Sequence, residues 1–234
     1  LGAFFLTRNR LDEAAEAFQR VIALTPDNTR GYNNLGSVLF RMQRPDDAAR
    51  MWERSTAIRP TFVAASNLGT FYFSRARYAE AAGAFERAVA LSPADFRLWR
   101  NLAAALYWAP GQRDASRAAF EKVVELGENE RKVNPRQPNL AAELADAYAS
   151  LGSRAQAVEM AIAAERLGAA DDGGAAASVA MAYETLGERV LALRWLEKAL
   201  KSGYAASSIE SSPTLAELRK DARYRALLGK STTH

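Results

Sequence analysis

Residues 32–60 read Y-N-N-L-G-S-V-L-F-R-M-Q-R-P-D-D-A-A-R-M-W-E-R-S-T-A-I-R-P, and this stretch decides the fold. Leu35, Gly36 and Leu39 follow one another at helical spacing, so they share one face of a helix. A second helical stretch follows and ends near Pro60, because proline cannot continue a helix. We therefore expect a pair of helices in which Gly36 lets the second helix approach the first closely.

The same pattern recurs along the chain with a period close to 34 residues. Each copy has a hydrophobic residue followed by a small one, at Leu1-Gly2, Leu35-Gly36, Leu68-Gly69, Leu102-Ala103, Leu144-Ala145 and Val179-Ala180. Successive small residues lie 34, 33, 34, 42 and 35 positions apart. Most copies carry a second alanine twelve residues later and a large apolar residue four further on, the latter at Phe18, Trp52, Phe85 and Leu196. Single pairs cannot bury their apolar faces, so the repeats must stack.

These residues carry a family resemblance. In Y-N-N-L-G (32–36), A-A-R-M-W (48–52) and I-R-P (58–60) the chain resembles tetratricopeptide repeats. The likeness runs from Leu1 to about Lys201 and is strongest in the first three copies. It implies an all-α, right-handed superhelical solenoid of about six antiparallel helix pairs over residues 1–204, with the first repeat truncated at Leu1. Residues 205–234 would then form a C-terminal capping segment, which hides the open apolar end of a solenoid.

The 42-residue step predicts one unusually long helix. Seven of its eight extra residues lie before Pro135, and seven residues are very nearly two α-helical turns. The insertion therefore extends the second helix of the fourth pair without rotating its apolar face. We expect this helix to run from about Asp114 to Lys132 without a break at Gly127, and residues 128–132 to stand in solvent.

The C-terminal segment has its own helix signals. Ser212-Pro213 is typical of an N-cap followed by proline at the first helical position. Asp221 resembles another cap, and Gly229 is expected to close the final helix. Apolar residues that could seal the last pair are Leu215, Leu218, Tyr224 and Leu228. Residues 209–228 are also similar to the tail of bacterial repeat modules attached to serine/threonine kinases, cyclases or transcription regulators, which implies a regulatory part of a larger bacterial protein.

Composition restricts the possible functions. The 234 residues include 31 basic and 27 acidic ones, and a net charge of +4 gives little support to a nucleic-acid or membrane partner. Cysteine is absent and His234 is the only histidine, which argues against disulfides, thiol or histidine catalysis and most zinc sites. Residues 171–174 (D-D-G-G) are interpreted as an inter-repeat turn rather than a cation site. We expect no enzyme activity, no cofactor and no metal.

The ends of the sequence suggest its context. Leu1 falls inside a predicted helix, so we expect the sequence to begin partway through a longer protein. No signal peptide opens the chain and no segment approaches about 18 consecutive apolar residues. The expected location is the cytoplasm, or an extracytoplasmic compartment such as the periplasm if the parent chain has a membrane anchor.

The face of each first helix that does not pack is the candidate binding surface. Asn34, Asn67 and Asn101 each lie two residues before the small residue, about 200° around the helix from it. In the family that side lines the concave groove, and the row resembles the asparagine ladder of O-linked N-acetylglucosamine transferase. An amide offers one donor and one acceptor group, which match the backbone of an extended peptide. The alternative is that asparagine is simply common at this position of the repeat.

Two further sets of side chains share this face. One is an aromatic stripe four residues after the small residue, which could bind a ligand or pack between neighbouring repeats. The other is basic and would suit an acidic side chain or a terminal carboxylate. The aromatic set consists of Phe40, Phe73 and Tyr107, and the basic set of Arg30, Arg97 and Arg100.

These features predict a protein–protein interaction module that binds an extended peptide or partner segment in its concave groove. The alternative is a structural module that packs against its parent protein's own catalytic domain or self-associates. The sequence leaves the oligomeric state and the identity of the partner open.

Overall fold

The computed structural model describes residues 1–231, with side chains described through Leu228. Over this part of the chain there are fourteen α-helices and no strand. The helices are α1 (Gly2–Thr7), α2 (Leu11–Leu24), α3 (Thr29–Arg41), α4 (Pro45–Ile58), α5 (Phe62–Ser74), α6 (Tyr78–Leu91), α7 (Phe96–Trp108), α8 (Arg113–Val133), α9 (Pro138–Ser150), α10 (Arg154–Arg166), α11 (Gly173–Thr185), α12 (Arg189–Lys201), α13 (Ala206–Ser211) and α14 (Ala222–Ser231). Short 3-10 helices lie at Ala169–Asp171 and Leu218–Lys220.

The chain divides into two compact units, Leu1–Ser116 and Arg117 onward, with the boundary inside α8. In the first unit α1 packs on α2, α3 on α4, and α5 on α6. In the second unit α9 packs on α10 and α11 on α12. The predicted all-α architecture of helix pairs is therefore confirmed. The predicted division into residues 1–204 and 205–234, which rests on where the repeat ends, stays a prediction.

In the first unit each pair is sealed by a glycine that meets an aromatic ring. The glycine lies on the first helix and the ring on the second, and the pairs are Gly2 with Phe18, Gly36 with Trp52, and Gly69 with Phe85. A Cβ added at Gly69 would lie 2.6 Å from a carbon of the Phe85 ring, and one at Gly36 would lie 2.7 Å from Trp52 Cδ1. These distances are shorter than any van der Waals contact, so the small residue is required by the ring beside it.

The turns inside the helix pairs reverse direction through one residue with a left-handed backbone. In the first three pairs this residue is not glycine: φ is 56° at Asn9, 60° at Gln43 and 56° at Ala76. In the fifth and sixth pairs it is Gly152 (φ 77°) and Gly187 (φ 80°). A side chain raises the energy of this conformation, so the first three turns carry strain that the later ones avoid.

The long helix of the fourth pair is confirmed. Helix α8 has 21 residues and passes through Gly127 without a break. Gly127 is buried, and a Cβ there would lie 2.8 Å from Leu144 of α9. The glycine therefore serves a close approach of two helices instead of ending one.

The expectation that residues 128–132 stand in solvent is wrong for part of this segment. The Glu128 side chain is only 21% exposed, and its Oε1 accepts a hydrogen bond of 3.2 Å from the Tyr148 hydroxyl of α9. Arg131 is half-buried and pairs with Glu128. Burial, and then the charge of Glu128, raise the pKa of Tyr148. The added turns thus gain a packed face because α9 returns alongside them.

Two turn predictions near the C-terminus differ from the structure. The interpretation of residues 171–174 as an inter-repeat turn is right for Asp171 and Asp172 and wrong for the two glycines, because Asp172 Oδ1 accepts from the backbone N–H of Ala175 and caps α11, which begins at Gly173. The prediction that Ser212-Pro213 begins a helix is wrong. Ser212 instead follows the end of α13, and its carbonyl accepts a hydrogen bond from Arg219 Nη1. The same guanidinium nitrogen also reaches the carbonyl of Ile209, so it holds the end of α13.

The final helix is capped as predicted but ends later than predicted. Asp221 Oδ1 accepts a 2.9 Å hydrogen bond from the backbone N–H of Arg223, and α14 begins at Ala222. The prediction that Gly229 closes it is wrong, since the helix continues to Ser231. Of the four expected sealing residues, three are buried and one is half-buried; they are Leu215, Leu218, Tyr224 and, half-buried, Leu228.

No helix within residues 1–231 is long and apolar enough to cross a lipid bilayer. His234, the single histidine, lies outside the described residues.

Candidate peptide-binding face

The three predicted asparagines occupy equivalent places on α3, α5 and α7. Each of these helices begins with a side-chain cap: Asn28 accepts from Gly31 N–H, Thr61 from Ala64 N–H, and Asp95 from Arg97 N–H. Each asparagine lies six residues after its cap, so the caps set one common register for the row. Asn34, Asn67 and Asn101 follow Asn28, Thr61 and Asp95 in that order.

The environment of the row leaves its amides available. All three side chains are half-buried, and within residues 1–231 none of the three amide groups has a hydrogen-bond partner. The helices that carry them are neighbours, because α3 contacts α5 and α5 contacts α7. The first unit therefore presents a line of unpaired amides along successive helices. We call the surface formed by Asn34, Asn67 and Asn101 the asparagine face.

Each residue of the predicted aromatic stripe contacts another side chain of the protein. The Phe40 ring lies 5.9 Å from the Trp52 ring, and the Phe73 ring lies 5.2 Å from that of Tyr78. The Tyr107 ring is covered by the guanidinium of Arg113, whose Cζ lies 3.6 Å from the ring centroid. The three stripe residues are half-buried. The alternative that these aromatics pack against neighbouring side chains thus has direct contacts, and their role in ligand binding stays a prediction.

The three predicted arginines differ from one another. Arg30 is exposed and forms no ion pair with any described residue. Arg97 is exposed as well, with its guanidinium 4.6 Å from the Phe96 ring centroid, whereas Arg100 is half-buried. Arg97 and Arg100 both have interaction partners within the molecule. Arg30 is therefore the cation of this set that can meet a ligand without losing another contact.

The structure adds a cleft that the sequence pattern did not predict. It has a volume of about 1070 Å³ and lies where the turn before α3, the end of α4, the start of α5 and the end of α6 come together. Arg30 and Asn34 line it, while the other seven predicted site residues do not. Arg59 adds a second arginine, and apolar side chains line another part of the cleft.

Asn33 is the functional candidate that the pattern missed. It is only 6% exposed, its Nδ2 donates a 3.2 Å hydrogen bond to Thr61 Oγ1, and its backbone carbonyl accepts one of 3.2 Å from Trp52 Nε1. Its Oδ1 is buried and has no hydrogen-bond partner in the described part of the chain. The doubled asparagine at 33–34 was the available signal, since neighbouring residues lie about 100° apart around a helix and cannot share one face.

Comparison with known proteins finds repeats of one family in the first part of the chain. A family model described as "TPR repeat" matches residues 4–43, and one described as "Tetratricopeptide repeat" matches residues 30–59 and 61–92. The peroxisomal targeting signal receptors of Eremothecium gossypii and Saccharomyces cerevisiae are 31% and 29% identical over 65 residues. Each of these matches spans 28% of this chain and only 11% of the relative's length.

Solved structures share the fold over most of the chain. A chain of the APC/C hetero-tetramer Cut9–Hcn1 has a TM-score of 0.63 at 17% identity and covers 98% of this chain and 41% of its own length. Pseudomonas aeruginosa pilF has a TM-score of 0.61 at 18% identity, covering 98% of this chain and 94% of its own. A thermophilic TPR protein of Thermus thermophilus has a TM-score of 0.56 at 23% identity, covering 86% of this chain and 98% of its own. The family models thus identify tetratricopeptide repeats within residues 4–92, and the solved structures show that the chain shares their helical fold.

Proposed function

We propose that this chain binds an extended segment of a partner protein along the asparagine face. Tetratricopeptide repeats generally mediate protein–protein interactions and are typically non-enzymatic scaffolds. The observation that carries the proposal is the row of amides on α3, α5 and α7, held in one register and without hydrogen-bond partners in the described chain. An unpaired, half-buried amide contributes most to the free energy of binding when the ligand supplies both a hydrogen-bond donor and an acceptor.

The spacing of neighbouring helices suits an extended chain. Packed helices lie roughly 8–10 Å apart. An extended peptide advances about 3.3 Å per residue, so roughly every third peptide unit would pass an asparagine. Such contacts are made to the backbone of the peptide, so they are compatible with many different peptide side chains. Specificity must then come from side chains beside the row.

The test compares two triple variants on a phage-displayed library of random linear peptides. Replacing Asn34, Asn67 and Asn101 with alanine removes the amides while leaving buried core residues intact. Each amide is expected to contribute roughly 0.5–1.5 kcal/mol of net binding, so the triple variant should bind the selected peptides far more weakly. The matched control carries alanine at three exposed residues of the second helices, Gln19, Glu53 and Glu86.

Circular dichroism must show the same helicity for both variants and the wild type. Equal peptide affinity in the asparagine variant and the control would refute the proposal. Loss of helicity in the asparagine variant alone would show that the amides are structural, and would refute it too.

A second candidate is a structural role, in which the repeats pack against another domain of the parent protein or against a second copy. It is favoured by α1, where the Phe4 side chain is 48% exposed. Light scattering coupled to size-exclusion chromatography separates the candidates, because a concentration-dependent dimer that Phe4→Ser abolishes supports self-association. The regulatory role in a bacterial protein and the cytoplasmic location stay predictions.

A further inference from the structure

We propose that the cleft beside Asn33 is an anchor site for a peptide segment that carries an acidic side chain next to a large apolar one. We call it the α3–α5 cleft; it is lined by Arg30, Asn33, Arg59, Val63 and Leu91, among others. This inference rests on the proposed function, because it assigns a side-chain preference to a peptide that the asparagine face would hold.

The charged side chains that line the cleft favour the binding of an anionic group. Arg30 and Arg59 both line it, both are exposed, and neither has an ion pair among residues 1–231. Asp27 is the single carboxylate among the residues lining this cleft, so the lining charge is positive. The first turns of α3 and α5 also face it, and helix N-termini favour negative charge. Two guanidinium groups that form no ion pair within the described chain are well suited to bind a carboxylate.

The apolar wall selects the neighbouring side chain. Phe62 is 42% exposed, Val63 38% and Leu91 48%, and all three line the cleft together with Ile58. They come from the ends of α4 and α6 and the start of α5, so they form one surface only when the helix pairs stack. A leucine or phenylalanine of the partner would cover these side chains and remove apolar area from water.

Asn33 connects the cleft to the start of α5. Its Oδ1 is a buried acceptor without a donor in the described chain, and in this orientation the atom is closed to a peptide. Its Nδ2 is held by Thr61, the cap of α5, so the amide is oriented by the same residue that starts the next helix. The cleft and the asparagine face share Asn34, which joins them into one path.

The experiment uses three pools of blocked linear peptides with degenerate flanks, measured by fluorescence anisotropy. The first pool has Leu or Phe beside Asp or Glu, the second has the same apolar residues beside Asn or Gln, and the third has Gly beside Asp or Glu. We expect the first pool to bind about tenfold more tightly than either other pool, since hydrogen bonds to charged groups are the stronger kind. The preference over the second pool should shrink at high salt because the arginines are exposed.

Two double variants test which arginines are responsible. Arg30→Gln with Arg59→Gln should abolish the preference for the first pool over the second. The matched control is Arg54→Gln with Arg87→Gln, which lowers the net charge equally at two exposed arginines outside the cleft. The control should keep the preference. Equal binding of the first two pools by the wild type, or a preference that survives Arg30→Gln with Arg59→Gln, would overturn the inference.

A further variant separates this inference from the proposed function. Asn67→Ala with Asn101→Ala leaves the cleft untouched, so it should weaken binding of all pools alike while the acidic preference remains. If it weakens all pools and the wild type shows no preference, the asparagine face stands and the cleft inference fails. If it changes nothing while the arginine pair still matters, the cleft stands and the asparagine face fails. Absence of binding by every pool refutes both.

Discussion

The first three helix pairs and the fifth and sixth have the same architecture but fill the contact between their helices differently. In α1–α6 a glycine on the first helix meets an aromatic ring on the second. In α9 and α11 the small residue is Ala145 or Ala180, and the residue at the aromatic position is Ala161 or Leu196, all of them at most 2% exposed. Where the small residue is alanine instead of glycine, the partner is thus smaller than an aromatic ring. The comparison teaches that the residues at the two contact positions can change while the pairing of the helices is kept.

Removal of an aromatic seal should have the largest effect. Trp52 is 3% exposed, and its Nε1 donates to the carbonyl of Asn33. Trp52→Ala should lower the free energy of unfolding by roughly 3–5 kcal/mol, because it leaves a cavity and removes one hydrogen bond. Trp52→Phe should cost less than about 1.5 kcal/mol, since phenylalanine already occupies this position at Phe18 and Phe85. Urea unfolding followed by circular dichroism measures both variants. Equal losses of unfolding free energy would contradict the interpretation that an aromatic ring fills the space between the paired helices.

Enlargement of the small partner should have the next largest effect. At Gly36 an added Cβ meets the Trp52 ring, so Gly36→Ala should destabilise the protein by about 1–3 kcal/mol through overpacking. Gly83 in α6 is the matched control, because the nearest atom to its added Cβ is Arg87 Nη1 at 4.0 Å. Gly83→Ala should stabilise by up to about 1 kcal/mol, as alanine favours helix. The two substitutions are chemically identical, so a change of the same sign in both would show that contact with the ring does not decide the outcome.

The same difference explains how much of the fold could be predicted. The glycine–aromatic pairs and their period lie within single repeats, so the sequence displays them directly, and the matches of the family models fall within residues 4–92. Helix α8 was predictable because its insertion keeps the helical phase. Ser212 was misread because a local cap signal was overridden by Arg219, which binds the carbonyl of Ser212 from seven residues away. The partial burial of Glu128 depends on the return of α9.

Only the part of the candidate site that repeats along the chain could be predicted from the sequence. The asparagine face repeats at 33 and 34 residues, so a pattern search finds it. The α3–α5 cleft is assembled from three separated segments of the chain, and Arg59 and Leu91 lie at helix ends where the repeat pattern is weak. The missing donor of Asn33 Oδ1 is a property of packing and has no sequence signal at all.

In the second unit a hydrogen bond supports the extended helix α8. It should contribute less to the free energy of unfolding than an aromatic ring contributes in the first unit. Tyr148→Phe removes the hydrogen bond to Glu128 and should lower the free energy of unfolding by about 1 kcal/mol. Tyr107→Phe in the first unit is the control, because the Tyr107 hydroxyl has no hydrogen bond to any described residue. That change should be close to neutral. Parallel urea titrations of the two variants decide the point, and indistinguishable midpoints would mean that the extension of α8 gains nothing from α9.

The smallest effects should come from the turns, where the two regions differ in the residue with a left-handed backbone. Ala76 adopts φ 56° with a side chain, whereas Gly152 adopts φ 77° and its added Cβ would have no atom within 4 Å. Ala76→Gly should stabilise the folded state by roughly 0.5–1 kcal/mol, because relief of backbone strain exceeds the extra entropy of the unfolded glycine chain. Gly152→Ala should destabilise by a similar amount, and since no contact is made or lost there, the backbone alone is tested. Thermal melts of both variants should move in opposite directions. If Ala76→Gly lowers the midpoint, the unfolded-state entropy outweighs the strain, and the non-glycine turns of the first three pairs are a source of stability instead of a cost.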